Sequence, residues 1–260
     1  MNIVVLAKQV PDPEALIEIA GQGQKLEIEQ KFAANLFDEL ALEEALRIKE
    51  KHGGKVKVIT LGSDKATEVL RTGIAMGADE VLLLEDQALT DGDGFSTAFI
   101  LSEAIKKEAA DIILCGRQAI DDDRAEVGPM VAQFLGLPHV GSVTKLDVSG
   151  DKATAEYAIE GGKEVVEVPL PSVFTAERGL NEPRVPMITG VMKAMKTPIP
   201  KLKPEELGLS PEQTGAAGAK TKTVQYIPPK KRPGVQFISG EPREAAAEAV
   251  RILTDVERVV

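Results

Sequence analysis

The stretch DIILCGRQAIDDDRAEVGPMVAQFLGLP (111–138) joins a strand to a helix through a loop that holds three adjacent aspartates. Residues 111–116 form a continuous apolar run, as a strand covered on both faces requires. From residue 124 onward apolar side chains recur at helical spacing until the Gly-Leu-Pro stop. The same rhythm runs through the N-terminal half. NIVVLA (2–7), VKVITLG (56–62) and EVLLLED (80–86) are three further apolar runs. Between them lie helical patterns. DELALEEALRIKEKHGG places Leu42, Ala45, Leu46 and Lys49 on one stripe, with Glu43 and Arg47 expected as an outward i,i+4 pair. SDKATEVLRTGIAMGAD starts at Ser63 or Asp64 as N-cap and stops at Gly77. STAFILSEAIKKEAA supplies another helix.

Strands alternating with helices of this length predict an α/β fold with a doubly wound, mostly parallel sheet and helices on both faces. From about residue 140 the pattern becomes alternation broken by SGD and EGG turns. It predicts added antiparallel strands, continuing through PLPSVFTAE. After Arg178 a Pro-, Gly- and Lys-rich segment of weak periodicity reads as an extended C-terminal arm. The last stretch is a helix with Pro242 near its first turn and an apolar stripe of Ala246, Val250, Leu253 and Val256, which needs a surface to dock on. The expected organisation is therefore an α/β domain over 1–180, an arm and linker over 181–239, and a docking helix over 240–260.

Composition narrows the function. The net charge is −10 and aromatics are 3%, with no Trp, which argues against nucleic acid as a partner. No apolar stretch approaches the ~20 residues of a membrane span, and the N-terminus reads as a first strand rather than a leader. The single cysteine, Cys115, sits in an apolar run, so it reads as a buried hydrophobe. A reducing compartment, the cytoplasm, is the expected location. His52 and His139 support no catalytic scheme, and no catalytic residue is assigned.

In open α/β sheets ligands bind beyond the carboxyl ends of the strands. AKQVPD, LGSDKA and GRQAIDDDRAEVGP lie at such ends, while NLFDE (35–39) and TDGDGFST (90–97) lead into helices. There is neither a P-loop nor a dinucleotide fingerprint. Three readings of Asp121, Asp122 and Asp123 follow from pattern alone. They are a Mg²⁺ site, a turn that caps the next helix, and a nucleotide loop in which Gln118 or Arg124 faces ribose and phosphate. Metal is the least favoured, because three consecutive side chains converge on one ion only through a sharp turn. An ATP-hydrolysing or adenylate-forming enzyme is the competing class, with Lys65 as its weak phosphate candidate.

AKQVPD, NLFDELALEEALRIKE, LRTGIAMGADEVLLLED, GRQAIDDDRAEVGPMVAQFLGLP and ERGLNEPRVPMITGVMKAMKTPI occur in this order. Together they resemble the beta subunit of electron transfer flavoproteins from residue 1 to about 208. The resemblance implies a heterodimer with an FAD-carrying alpha subunit that takes electrons from flavin-containing dehydrogenases and passes them to an acceptor. It also implies a second nucleotide in this chain: AMP in ordinary members, FAD in electron-bifurcating ones.

By position, the family's nucleotide contacts fall on Leu6, with Ala7 and Lys8 beside it, and on Asn35, Leu36, Phe37 and Asp38. The family usually has Pro where Leu36 stands. Further contacts fall on Leu61, Gly62 and Ser63. The rest lie in the aspartate loop: Gly116, Arg117, Gln118, Ala119, Ile120, Asp121, Asp122, Asp123, Arg124, Ala125, Glu126 and Val127. GRQAID with VGP, and TDGDGFST, resemble the bifurcating members; DDD and LNEPR with MKAMK resemble the AMP-containing ones. Small residues at Gly92, Gly94, Ser96 and Thr97, with Asp93, leave room and hydrogen bonds for a flavin, so FAD is expected and AMP is the alternative. Segment 178–200 resembles the loop that docks dehydrogenases, with Ile188 as its apolar anchor and Arg184, Met192, Lys193 and Lys196 around it. The basic runs KAMKTPIPKLK and PPKKRPG are expected either to be solvated or to steer acidic partners.

Overall fold

A computed structural model describes residues 1–85, 92–231, 234–235 and 237–259. The segment Met1–Gln225 forms one compact unit and Tyr226–Val260 another.

The first unit begins with β1 (Asn2–Leu6), followed by two short antiparallel ribbons. These pair β2 (Gln9–Pro11) with β5 (Phe32–Ala34), and β3 (Ile17–Ala20) with β4 (Lys25–Ile28). Then come α1 (Leu36–His52), β6 (Lys55–Gly62), α2 (Thr67–Met76), β7 (Glu80–Glu85), α3 (Gly94–Ile105), β8 (Ile112–Gly116) and α4 (Val127–Leu135). The chain continues through β9 (His139–Ser149), β10 (Lys152–Ile159), β11 (Gly162–Pro169), β12 (Ser172–Ala176), α5 (Ile188–Lys196), β13 (Lys201–Leu202) and the single turn α6 (Gly215–Gly218).

The main sheet has the order β11-β10-β9-β12-β8-β1-β6-β7-β13. It is parallel from β9 to β13, and β10 and β11 extend it as an antiparallel edge. The α/β, doubly wound expectation therefore holds. Alternation along β1 explains the two layers. Ile3 and Val5 join Leu46 and Leu70 of α1 and α2 in one core. Val4 and Leu6 join Ile100 and Val131 of α3 and α4 in the other. A strand buried on both faces has no polar position to spare, hence its continuous apolar run.

Three expectations need correcting. PLPSVFTAE contains β12, which runs parallel between β8 and β9 rather than antiparallel. Its burial on both sides, with Val173 and Phe174 fully enclosed, identifies it as an inner strand. The arm after Arg178 is not wholly extended, because it contains α5, whose Ala194 is buried. Glu43 does not face outward; it is buried, for a reason given below. Asp86, the last residue of the predicted strand 80–86, lies outside the described residues, as do Thr90 and Asp91 of TDGDGFST and Arg232 and Pro233 of PPKKRPG.

In the second unit, α7 (Pro242–Arg251) starts with Pro242 at its first turn, and Val250, Leu253 and Val256 are exposed. Among the described residues no helix is long and apolar enough to cross a membrane.

Candidate functional site

The chain builds from β1 outward through β6 and β7, then returns through α3 to place β8 on the other side of β1. That reversal makes the carboxyl ends of β1 and β8 the switch point at which this architecture places its ligand crevice. Their matched residues end at Val5 and Leu114. Beyond that point Asp38 of α1 reaches between the two strand ends. The Lys8 N–H donates to its Oδ2 at 2.8 Å and the Gly116 N–H donates to its Oδ1 at 2.7 Å. Burial pushes the Asp38 carboxyl up to about 6, and these N–H groups, with the Asn35 amide and the Lys8 charge, offset only part of that. A Cβ on Gly116 would lie 2.5 Å from both Asp38 Oδ1 and Phe37 Cβ, so only glycine allows this approach.

Asn35 occupies the N-cap position of α1, yet its side chain does not cap. Its Nδ2 donates to Gln118 O at 2.9 Å, and its Oδ1 accepts from Ile120 N at 3.1 Å. The helix begins at Leu36, without the proline usual in the resembled family. Phe37, buried, stacks with the guanidinium groups of Arg117 and Arg178, each with its carbon 5.9 Å from the ring centre. Arg117 is also paired to Glu177, and its Nε donates to Gln118 Oε1 at 2.9 Å. Glu177 and Arg178 thus belong to the crevice mouth although the sequence reading did not assign them. Their signal was the ERG that opens the last resembled motif.

The aspartate run does not cap α4. Asp121 and Asp122 share the Lys8 ammonium, at 2.8 and 3.1 Å, and Asp123 accepts from Gln118 Nε2 at 2.7 Å. Asp123 and Ala125 both have positive φ, 51° and 55°. These two left-handed residues turn the chain between the aspartates and Val127, so the carboxylates hang over the end of β1 instead. Ala119 O receives Asp123 N and tightens the turn. The N-terminus of α4 follows Glu126 and carries no side-chain cap. Arg124 beside it pairs with Glu126 at 3.4 Å. Among the described residues no group of three or more His, Cys, Asp or Glu could hold a metal ion.

At the end of β6, Leu61 and Gly62 are half-buried. Ser63 is extended and makes no cap. Leu6 is buried and Ala7 half-buried, with Ala7 O accepting from the Thr60 hydroxyl at 2.6 Å. Lys65, the phosphate candidate of the competing class, instead meets Gln30 and lies 5.8 Å from the centre of the Phe32 ring.

Asp93 caps α3. Ser96 N donates to its Oδ1 at 3.0 Å, and the Ser96 hydroxyl closes the reciprocal half of the box. Its Oδ2 receives Lys220 N, Thr221 N and the Thr221 hydroxyl at 2.8, 2.8 and 3.0 Å. Ser96 is buried and Thr97 half-buried. Gly94 packs closely against the Glu126 side chain, so a side chain there would displace that carboxylate. The polar groups of Asp93 and Ser96 are therefore spent within the chain.

The segment after β12 is rooted on α1. Arg184 donates from Nε and Nη2 to Glu43 at 2.8 and 3.0 Å, and from Nη1 to Glu50 at 2.6 Å. Glu43 is buried because Arg184 covers it, while Arg47 holds its other side at 3.0 Å. Burial opposes the Glu43 charge, but the Arg184 and Arg47 bonds outweigh it and draw its pKa down. Asn181 donates to Leu40 O and Glu44 Oε2. Beyond this root, Ile188 is 80% exposed, Met192 is also exposed, and Lys193 and Lys196 lie in solvent on α5.

A doubly wound sheet whose strand-end loops are drawn together at the reversal defines an α/β chain with a switch-point crevice. Residues 26–207 match the family model described as the electron transfer flavoprotein domain. The chain is 38% identical to the electron transfer flavoprotein subunit beta of Bacillus subtilis, over 100% of both chains. It is 41% identical to that of Thermoanaerobacterium thermosaccharolyticum, covering 97% of this chain and 98% of the relative. It is also 39% identical to the caffeyl-CoA reductase-Etf complex subunit CarD of Acetobacterium woodii, over 92% of each. The chain belongs to the electron transfer flavoprotein family, on its beta-subunit side.

Proposed function

We propose that this chain pairs with an FAD-carrying alpha subunit and binds an adenine nucleotide in the crevice between β1 and β8. The heterodimer then carries electrons from flavin-containing dehydrogenases to an acceptor, as a carrier rather than a stand-alone enzyme. The observation that carries the reading is the convergence of three segments at the switch point. Residues 116–127, 35–38 and 6–8, far apart in sequence, meet there through Asn35, Asp38 and Lys8. The residues fit a nucleotide. The α1 and α4 N-termini have no side-chain cap, so their first N–H groups suit phosphate oxygens. Lys8 and Arg124 supply cations, and the aspartates supply acceptors for ribose hydroxyls.

FAD in the crevice is the leading choice, supported by the small residues Gly92, Gly94, Ser96 and Thr97 beside it; when bound it supplies redox chemistry that AMP does not. AMP is the second reading, favoured by the internal use of Asp93 and Ser96 and by the Gly94–Glu126 contact. Bifurcation belongs to the first reading only. On α5, Ile188 and Met192 offer an apolar patch, with Lys193 and Lys196 beside it, suited to an acidic dehydrogenase surface.

The test is to denature the purified heterodimer and identify the nucleotides released. Two FAD per heterodimer establishes the first reading, and one FAD with one AMP the second. A heterodimer that releases no adenine nucleotide beyond the alpha subunit's FAD overturns the crevice assignment. Separately, Lys193→Glu with Lys196→Glu should slow reduction by the dehydrogenase at low salt while nucleotide content stays unchanged. Unchanged rates would remove this face from docking.

A further inference from the structure

The family resemblance assigns Asn35 and Asp38 to the nucleotide. Their side chains are instead buried and hydrogen-bonded to the protein backbone. Each Asp38 oxygen accepts one N–H, from Lys8 on one side of the reversal and from Gly116 on the other. The amide of Asn35 donates to Gln118 O and accepts from Ile120 N. These four bonds begin where the β1–β8 ladder stops, at Val5 and Leu114. The two strands diverge there, and the N–H groups of Lys8 and Gly116 have lost their ladder partners. A buried N–H without a partner is costly, so the carboxylate takes the place of the missing strand contact. Both side chains stand within one turn of the start of α1, so a single rigid helix end holds both halves of the crevice. Phe37 between them is packed against Gly116, which removes slack from the arrangement.

We infer that Asp38 and Asn35 are positioning residues, which fix the spacing of the β1 and β8 ends and the height of the 118–120 loop, and do not touch the nucleotide through their side chains. The inference rests on the crevice assignment proposed above. The chemistry is that of a scaffold: the nucleotide-facing groups are the backbone and the neighbours, set to a few tenths of an ångström by these two side chains. A role of this kind predicts that affinity falls together with protection of particular backbone amides.

The experiment uses the heterodimer with its full-length chains. Asp38→Asn keeps the shape but sets an amide N–H₂ against one of the two backbone N–H donors. It should lower AMP affinity by roughly tenfold or more, the size of a lost hydrogen bond to a charged group. Hydrogen exchange at Lys8 and Gly116 should rise by a comparable factor. Asn35→Ala should raise exchange at Ile120 and lower AMP affinity, and FAD serves as the second probe. It remains informative if Asp38→Asn does not fold. Lost affinity with unchanged exchange at these amides means direct ligand contact and overturns the inference. Unchanged affinity in a variant whose amides have loosened also overturns it. If wild-type protein binds neither probe, the crevice assignment fails, and the exchange data still report whether the two side chains hold the strand ends.

Discussion

Two aspartates do similar mechanical work in two regions with opposite electrostatic results. Asp38 holds the crevice and Asp93 holds the segment that leads out of the first unit. Each accepts N–H groups from residues distant in sequence. Burial dominates at Asp38, where two backbone donors leave the carboxyl raised to about 6. At Asp93 burial also opposes the charge, but the N–H groups of Ser96, Thr221 and Lys220 and the Thr221 hydroxyl outweigh it, and the carboxyl falls to about 2. Asp93 also stands at the N-terminus of α3, where the helix dipole favours a negative charge. Depth and donor number together decide whether such a carboxylate is at ease: Asp38 lies deeper and has fewer donors.

The comparison can be broken most severely at Gly116. Gly116→Ala drives a Cβ into Asp38 and Phe37, and should cost about 3 kcal/mol or more, read from urea unfolding of the heterodimer. A loss no larger than that of an ordinary surface change would mean that the Asp38 contact is slack. The next effect is a pH dependence. The folded pKa of Asp38 lies above its ordinary 3.8, so its contribution is full below about pH 4 and is lost as pH rises through about 6. Wild type should therefore lose about 3 kcal/mol over that window relative to Asp38→Asn. Parallel stability curves would refute it.

Asp93 runs the other way. Its stabilisation is present above pH 3.8 and is lost as pH falls through about 2, so Asp93→Asn should flatten only the acid limb. Asp93→Ala should cost about 2 kcal/mol, with faster proteolytic cutting near Lys220 than in wild type. Equal cutting rates would show that the segment is held by something else. The smallest effect belongs to Lys8. It is 43% exposed, and Lys8→Met should change stability by less than about 1 kcal/mol, measured in the same unfolding assay. A larger loss would place the Lys8–aspartate pairs among the supports of the crevice.

What the sequence disclosed followed the range of the interaction responsible. The four long apolar runs appear as β1, β6, β7 and β8, because burial on both faces leaves a local trace. The loop that carries the aspartates was visible from its place after a strand. The use of the aspartates was not. It depends on left-handed backbone at Asp123 and Ala125, residue types that do not announce it, and on Lys8, more than a hundred positions away. Glu43 illustrates the same limit. Its spacing to Arg47 is the pattern of an exposed pair, and only Arg184, arriving from another segment, makes it an interior group. Helix α5 lies between proline-rich stretches that read as an arm; its apolar stripe of Ile188, Val191, Met192 and Met195 is exposed, and its buried contact rests on the single small residue Ala194.

The aspartate run has a kinetic consequence. Three carboxylates crowd the crevice mouth of a chain whose net charge is −10, and Lys8 already answers two of them. On the proposed reading, an anionic nucleotide approaching from solution would meet these carboxylates before the helix ends, and its capture would quicken as salt screens the field. Contacts that form afterwards would slow its departure. A crevice of this kind suits a nucleotide acquired once, during assembly, and kept as a resident part for the life of the complex.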